Sequence, residues 1–259
     1  MTAPSLFLTI PILLALAMPV LAQATPKDPV LVVTGTVREI LRSDLLLLDD
    51  NKRYRLDNIR IPVDYSQFAA DLLTAKLLNK KINVYTTHAA KDAADRYGLP
   101  LVHVMRADDG MWIQAELISQ GLAWAFSSPS SRQMAISLKQ KEAKARAEQK
   151  GFWANPAYAV KTPANVHNFI DSFQIVEGKI RTAKPGDGLT YFNFGQDWKK
   201  DFTLILPSQF RQAFQHGKYN TFDPALWEGK TVSIRGWVES KNGPMIELTH
   251  PEQMDFIEK

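Results

Sequence analysis

Asp95-Arg96-Tyr97-Gly98-Leu99-Pro100-Leu101 is the segment of this 259-residue chain from which the surrounding sequence is most readily interpreted. It leads into Leu101–Arg106, where apolar residues predict a β-strand. The turn residues Asp108-Asp109-Gly110 come next, and Trp112–Trp124 then shows the apolar spacing of a helix. A long basic segment, Arg132–Lys150, predicts a second helix. A strand, a turn and two helices therefore follow the quoted segment in that order.

The sequence before this segment is rich in predicted strands. Val30–Leu48 contains many Val and Leu residues and predicts two or three short strands, and Tyr54–Ile61 predicts another. Ser66 precedes apolar residues at helical spacing, which predicts a helix that begins near it. Ile82–Thr86 predicts a further strand. These elements predict a mainly β domain with some helix, in the α+β class, over residues 30–155.

This arrangement resembles the staphylococcal-nuclease (thermonuclease) family over about Val33–Asn155. The family reads D-[KR]-Y-G-R-x-L where this chain has the segment quoted first. Tyr54-Arg55-Leu56 matches the strand that presents the family's first catalytic arginine, and Pro62 keeps the place of the proline in the family's D-[TA]-P-E segment. The resemblance implies a five-stranded β-barrel with three helices, and a metal-dependent phosphodiesterase that cleaves nucleic acid.

Much of the chemistry that this resemblance implies is absent from the sequence. Arg60 stands in place of a metal-binding aspartate, Val63 in place of the general-base glutamate, and Leu99 in place of the second catalytic arginine. A guanidinium repels the hard cation that carboxylate oxygens hold, valine cannot accept a proton, and leucine cannot donate a hydrogen bond to phosphate. Arg55 is retained, and the alignment allows Asp44 to keep the place of the other metal-binding aspartate.

Three functional hypotheses are open at this point. The first is an exported, catalytically degenerate protein that needs no cofactor and binds single-stranded nucleic acid or an envelope protein, with Arg96 and Tyr97 among its binding residues. The second is a calcium-dependent nuclease that uses Arg55 and a carboxylate site rebuilt from Asp44 and Asp64. The third is a structural or adaptor protein that binds no nucleic acid.

The C-terminal part of the chain has the element order of a second small barrel. Strands are predicted at Phe173–Lys184, Leu189–Phe194, Asp201–Pro207, Lys230–Glu239 and Pro244–His250, with a helix at Ser208–His216 after the third strand. This is the order of an OB-fold. The segment Tyr191-Phe192-Asn193-Phe194-Gly195-Gln196-Asp197-Trp198 is similar to one in OB-type modules that follow thermonuclease domains in some bacterial exported proteins.

OB-folds bind single strands by stacking bases on aromatic side chains above a cationic groove. The candidate side chains for these roles are Tyr191, Trp198, Lys199, Lys200, Arg235 and Trp237. On a strand, Tyr191 and Asn193 face one side while Phe192 and Phe194 face the other, so one of these pairs belongs to the core. Residues 168–259 carry 11 Lys and Arg against 12 Asp and Glu, so a protein or glycan ligand is as consistent with this module as a nucleic acid.

The N-terminal residues predict export. Leu6–Ala22 is an apolar run interrupted by two prolines, and Ala22-Gln23-Ala24 is a typical cleavage site, so residues 1–24 are interpreted as a signal peptide. The mature protein would be periplasmic or secreted and would have no membrane span, whereas an uncleaved anchor is the alternative. Residues 156–168 contain two prolines and little periodicity, which predicts a linker between domains at 30–155 and 169–259. The chain has no cysteine, which excludes disulfides and cysteine-based zinc sites.

Overall fold

The computed structural model describes residues 29–87, 94–129, 132–215 and 222–257, so the predicted signal peptide lies outside the described residues. The first half of the chain forms a closed five-stranded barrel with three α-helices in the described ranges. Its elements, in chain order, are β1 (Val30–Arg42), β2 (Leu45–Leu48), β3 (Arg53–Leu56), β4 (Ile59–Arg60), α1 (Ser66–Leu77), β5 (Lys81–Thr86), β6 (Leu101–Arg106), α2 (Ile113–Ser119), β7 (Trp124–Ala125) and α3 (Gln133–Ala147). This domain confirms the predicted fold class.

Closure of the first barrel depends on β1. This strand of 13 residues pairs with β5 along its first half and with β2 along its second half. Both ladders contain register shifts, and such bulges bend and twist a strand so that it can reach two neighbours. β3 and β6 pair in parallel and complete the ring. The short strands β4 and β7 pair with each other beside the barrel.

The helix predicted at Trp112–Trp124 is shorter in the structure, where α2 ends at Ser119. Gly121 has a φ of +65°, and a Cβ at this position would lie 2.0 Å from the carbonyl oxygen of Lys150. Only glycine permits this approach, which also lets the amide of Phe152 donate to the carbonyl of Gly121 at 2.9 Å. The contact joins the end of α2 to the end of α3.

The described part of the second half of the chain contains seven strands in one sheet. They are β8 (Ser172–Lys179), β9 (Thr182–Pro185), β10 (Leu189–Asn193), β11 (Thr203–Pro207), β12 (Thr231–Ser240), β13 (Pro244–Glu247) and β14 (Met254–Phe256). The helix predicted at Ser208–His216 is a 3-10 helix over Ser208–Phe214, and β14 was not expected from the sequence. Phe192 and Phe194 are buried and Tyr191 is exposed, which identifies the inner and outer faces of β10.

The second sheet follows the strand order of the first barrel. β8 and β9 are the two halves of the strand predicted at Phe173–Lys184, and β8 pairs with β12 while β9 pairs with β10. From β9 the order continues through β10, β11 and β13 to β12, with β11 and β13 in parallel. If β8 and β9 are counted as one bent strand, this is the ring formed by β1, β2, β3, β6 and β5. The described strands of the second domain therefore share the strand order of the first barrel, and its assignment as an OB-type module stays a prediction.

The predicted linker is packed against the second domain. It contains 3-10 turns at Pro156–Tyr158 and Val166–Phe169. The amide of Lys161 donates to the carbonyl of Ile175 at 2.8 Å, and the amide of Glu177 donates back to Lys161 at 2.8 Å. These bonds add the segment to the edge of β8. None of the helices in the described ranges is long and apolar enough to cross a membrane.

The two domains share an aromatic core and a set of ion pairs. Trp124, Phe152 and Trp153 of the first domain form one buried cluster with Phe173 and Ile175 of the second. Basic residues of the α3 region face acidic residues of the second domain in the pairs Arg132–Glu252, Lys139–Asp255 and Arg146–Glu177. The three cations are seven residues apart, so they lie along one face of the helix. This basic segment therefore faces the neighbouring domain.

Candidate nucleic-acid interface

Arg55, the retained family arginine, lies on β3 between two carboxylates. Its Nε donates to Oδ2 of Asp44 at 2.8 Å, and its Nη1 donates to Oδ2 of Asp95 at 2.8 Å. Partial burial opposes the charge, but the hydrogen bond to Asp95 and the charge of Asp44 outweigh it and raise the pKa of Arg55. The guanidinium is charged, yet its charge is balanced within the domain, so it offers a phosphate little net attraction.

The backbone of residues 95–99 holds Asp95 in this pair. Oδ1 of Asp95 accepts hydrogen bonds from the amides of Tyr97 at 2.8 Å and Leu99 at 3.0 Å. Partial burial alone would raise the pKa of Asp95, but the bond from Arg55 and the two backbone bonds lower it. Leu99 thus contributes through its amide, and its half-buried side chain offers no donor for a phosphate.

Arg96 and Tyr97 lie at the exposed tip of the same loop. The guanidinium carbon of Arg96 is 4.8 Å from the centre of the Tyr97 ring, and Tyr97 is 68% exposed. An exposed ring with a cation beside it has the chemistry for stacking on a base. The two residues remain candidates for nucleic-acid binding on the first domain.

Arg60 faces the second domain from its position on β4. Its guanidinium carbon lies 4.8 Å from the centre of the Trp237 ring, and 5.9 Å and 6.0 Å from the rings of Phe126 and Phe173. Val63, which the resemblance places at the family's general base, is 87% exposed and follows Pro62 in a 3-10 turn. Neither side chain carries an oxygen that could bind a metal ion, and neither can accept a proton from water.

The carboxylates of the predicted rebuilt metal site are each engaged by other side chains of the chain and do not fit calcium. Asp44 is paired with Arg55 and also lies 3.5 Å from Nε of Arg42. Asp64, the other carboxylate of the rebuilt site, accepts a hydrogen bond from the hydroxyl of Tyr158 at 2.8 Å. Within the described ranges, no three acidic or histidine side chains are grouped so that they could hold a metal ion. A cation at Asp44 would have to displace two arginines, which is unfavourable.

The outer face of the second domain carries a cleft of about 340 Å³. Tyr191 and Trp198, which are 40% and 55% exposed, form its aromatic walls. Its lining also includes Lys184, Leu189, Asn193, Thr203, Ile205, Lys241, Asn242 and Met245. Aromatic walls, an apolar floor and lysines at the rim are the parts of a single-strand binding groove. In this cleft the structure brings together two of the predicted binding residues, Tyr191 and Trp198.

Lys184 and Lys241 were not predicted as binding residues. Lys184 is the direct cross-strand partner of Tyr191, and Lys241 lies in the turn between β12 and β13. Lys184 is the last residue of a predicted strand, and Lys241 comes two residues after another, which was the available sequence signal. Of the predicted lysines, Lys199 places its Nζ 5.5 Å from the centre of the Trp198 ring, whereas Lys200 lies 3.7 Å from Asp197.

Arg235 and Trp237 lie elsewhere, on the side of β12 that faces the first domain. Arg235 is 8% exposed, its Nη2 lies 2.8 Å from Oε2 of Glu142, and its Nη1 donates to the carbonyl of Ala125 at 2.8 Å. Trp237 is covered on one face by Arg60. Arg235 is buried in an ion pair, whereas Trp237 is 43% exposed and packs one face against a cation of the same chain. Their role as nucleic-acid ligands stays a prediction, and the structure places both apart from the cleft.

A second cavity of about 210 Å³ lies at the boundary between the domains. One wall is the segment 126–129, and the opposite wall includes Trp237, Glu239 and Glu247. His250 lies at the same boundary, with Nε2 at 2.7 Å from the hydroxyl of Ser127. Burial lowers the pKa of His250 to about 4, so this imidazole is neutral at neutral pH.

Comparison with known proteins addresses the first domain. Residues 47–155 match the family model described as Staphylococcal nuclease homologue. A search of curated proteins found no match. The match covers β3, α1, β5, β6, α2 and α3, and it contains both Arg55 and the segment that begins at Asp95. Residues 47–155 therefore form a domain of the staphylococcal nuclease family, as the motifs around Arg55 and Asp95 predicted.

Proposed function

We propose that this protein is an exported, non-catalytic member of the staphylococcal nuclease group that binds single-stranded nucleic acid. The observation that carries the proposal is the cleft on the second domain, where two exposed aromatic rings stand above an apolar floor and beside lysines. Export is proposed from the apolar N-terminal run and the Ala22-Gln23-Ala24 site in the sequence.

The absence of catalysis is proposed from the first domain. Arg55 is shared between Asp44 and Asp95, and Arg60 carries a positive charge where the family binds a metal ion. Hydrolysis of a phosphodiester needs an activated water and stabilisation of the charge that develops on phosphorus. Removing one such donor typically costs about 3–4 kcal/mol of transition-state stabilisation, so the loss of several leaves no useful rate.

Stacking of bases and attraction of phosphates to lysines support the proposal that the second domain binds single strands. Stacking of a base on an aromatic side chain contributes about 1–3 kcal/mol and tolerates any base, because every base has a flat π face. Lys184 and Lys241, which line the cleft, and Lys199, which lies beside the Trp198 ring, supply positive charges around the two rings. With few cations, we expect moderate affinity and a shallow dependence on salt.

The test measures binding and cleavage with the purified mature chain. Fluorescence anisotropy with a labelled oligothymidylate is expected to show binding with a shallow salt dependence, and the double variant Tyr191→Ala/Trp198→Ala should weaken this binding by about 10-fold or more. Phe68→Ala is the matched control, because Phe68 is an exposed ring on the first domain. Its affinity is expected to equal that of the unsubstituted protein.

The same preparation distinguishes this proposal from its alternatives. Incubation of the oligonucleotide with calcium, and separately with a chelator, is expected to leave it intact. Calcium-dependent cleavage that Arg55→Ala abolishes would establish the rebuilt nuclease instead. Absence of any binding at low salt would leave the structural or adaptor role.

A further inference from the structure

The outer face of the second sheet continues beyond the cleft to two carboxylates. Strand register places Ile205 between Tyr191 on β10 and Glu247 on β13. In the next row, Met245 of β13 is the direct partner of Glu239 on β12. Directly paired residues point to the same face of a sheet. Ile205 and Met245 of the cleft floor are therefore immediate neighbours of Glu247 and Glu239.

The two glutamates carry negative charge that the described residues do not neutralise with an ion pair. Neither Glu239 nor Glu247 lies within ion-pair distance of a described Lys or Arg side chain. Burial, and then the charge of Glu239, raise the pKa of Glu247, while Lys241 acts in the opposite direction. Each phosphate of a nucleic acid that crossed this point would meet two carboxylates.

Beyond the carboxylates the face ends against the first domain. Glu239 and Glu247 line the second cavity, whose far wall is the segment 126–129. Trp237, the next aromatic residue in this direction, already holds the guanidinium of Arg60 against its ring. A single strand of nucleic acid that continued along the sheet would move away from the lysines and would be repelled by the carboxylates. The next aromatic ring on which it could stack, that of Trp237, is partly covered.

We infer that Glu239 and Glu247 determine specificity by limiting how much of a single strand the second domain holds. The inference rests on the proposed function. A single strand of nucleic acid that stacks on Tyr191 and Trp198 ends, or turns away from the sheet, before it reaches β12. Repulsive groups that exclude an alternative binding mode are a common source of specificity. The bound segment should lie at the short end of the about 4–16 nucleotides held by OB-folds.

The test compares oligothymidylates of increasing length, from 3 to about 20 nucleotides, a range that spans OB-fold site sizes. For the unsubstituted protein, affinity is expected to reach a plateau near about 4 nucleotides, apart from the statistical gain from additional registers. The double variant Glu239→Gln/Glu247→Gln should bind a 4-mer within about twofold of the unsubstituted protein and a 12-mer at least about fivefold more tightly. Its salt dependence for the 12-mer should steepen by about 0.7 for each added phosphate contact.

Two further variants keep the test decisive. Glu39→Gln removes an exposed carboxylate on the first domain and should change nothing. Glu239→Gln alone alters an exposed side chain and should give part of the double variant's effect, even if the substitution at Glu247 disturbs folding. Affinity that rises steadily with length in the unsubstituted protein and equally in the variants would overturn the inference while leaving the proposed function intact. Absence of binding at every length would instead overturn the proposed function.

Discussion

The two barrels of this protein share a strand order and differ in which surfaces they leave open. In each, the third and fifth strands pair in parallel, β3 with β6 and β11 with β13. In the first barrel, Arg55 beside this pair is closed in by two carboxylates. In the second, the outer face presents exposed rings and lysines. The comparison illustrates that a fold provides positions, whereas side chains decide which of them bind a ligand.

The difference extends to the residues that join the barrels. Arg60, which the resemblance places at a metal-binding position of the family, contacts Trp237 of the second domain, and Glu142 of α3 pairs with Arg235. Residues at positions predicted for metal or nucleic-acid binding in one barrel thus contact the other barrel. This comparison can be tested at the contact between the domains, in the response of stability to acid, and at Arg60.

The largest effect is expected from breaking the buried pair between Glu142 and Arg235. Arg235→Met leaves Glu142, which is 3% exposed, without its cation, and removal of one partner of a buried pair typically costs about 3–5 kcal/mol. Urea unfolding at pH 7, followed by tryptophan fluorescence, measures the loss. Lys144→Ala is the control, because the Lys144–Glu148 pair is exposed and should contribute about 0–1 kcal/mol.

A second variant separates loss of a partner from loss of packing. Glu142→Leu/Arg235→Met removes both charges, and the free energy of unfolding should recover much of the loss seen with Arg235→Met alone. If Arg235→Met is no more destabilising than Lys144→Ala, the pair does not hold the two domains together.

The contact between the domains also marks the limit of sequence-based prediction. The barrel strands and the strand bearing Arg55 follow from local patterns and a family resemblance. Strand alternation separates Tyr191 from Phe192 and Phe194 but does not say which side faces outward, and the structure shows that it is the side of Tyr191. The partner of Arg235 is more than 90 residues away, and no local pattern reports it. The one available signal was the seven-residue spacing of Arg132, Lys139 and Arg146, which indicates a single cationic helix face.

The second prediction concerns acid. Because burial lowers the pKa of His250 to about 4, the unfolded chain, with a histidine pKa near about 6.5, binds an extra proton between these values. The contribution of His250 to stability is therefore complete above about pH 6.5 and is lost as the pH falls towards 4, by up to about 3 kcal/mol. Urea unfolding at several pH values should show a shallower loss of stability in His250→Gln. If the free energy of unfolding depended on pH identically in the two proteins, the lowered pKa of His250 would be contradicted.

The smallest effect is expected from restoring a carboxylate to the first barrel. Arg60→Asp removes the cation from the Trp237 ring, and an exposed contact of this kind contributes about 0.5–1 kcal/mol, so the melting temperature should fall slightly. Calcium should leave it unchanged, because Asp44 remains paired with Arg55. Arg60→Lys, which keeps a cation at this position, should lose less stability. If calcium raised the melting temperature of Arg60→Asp and a chelator reversed the rise, Asp44 would be able to leave Arg55. The residue at position 60, rather than the ion pairs of Arg55, would then be what excludes calcium from the first barrel.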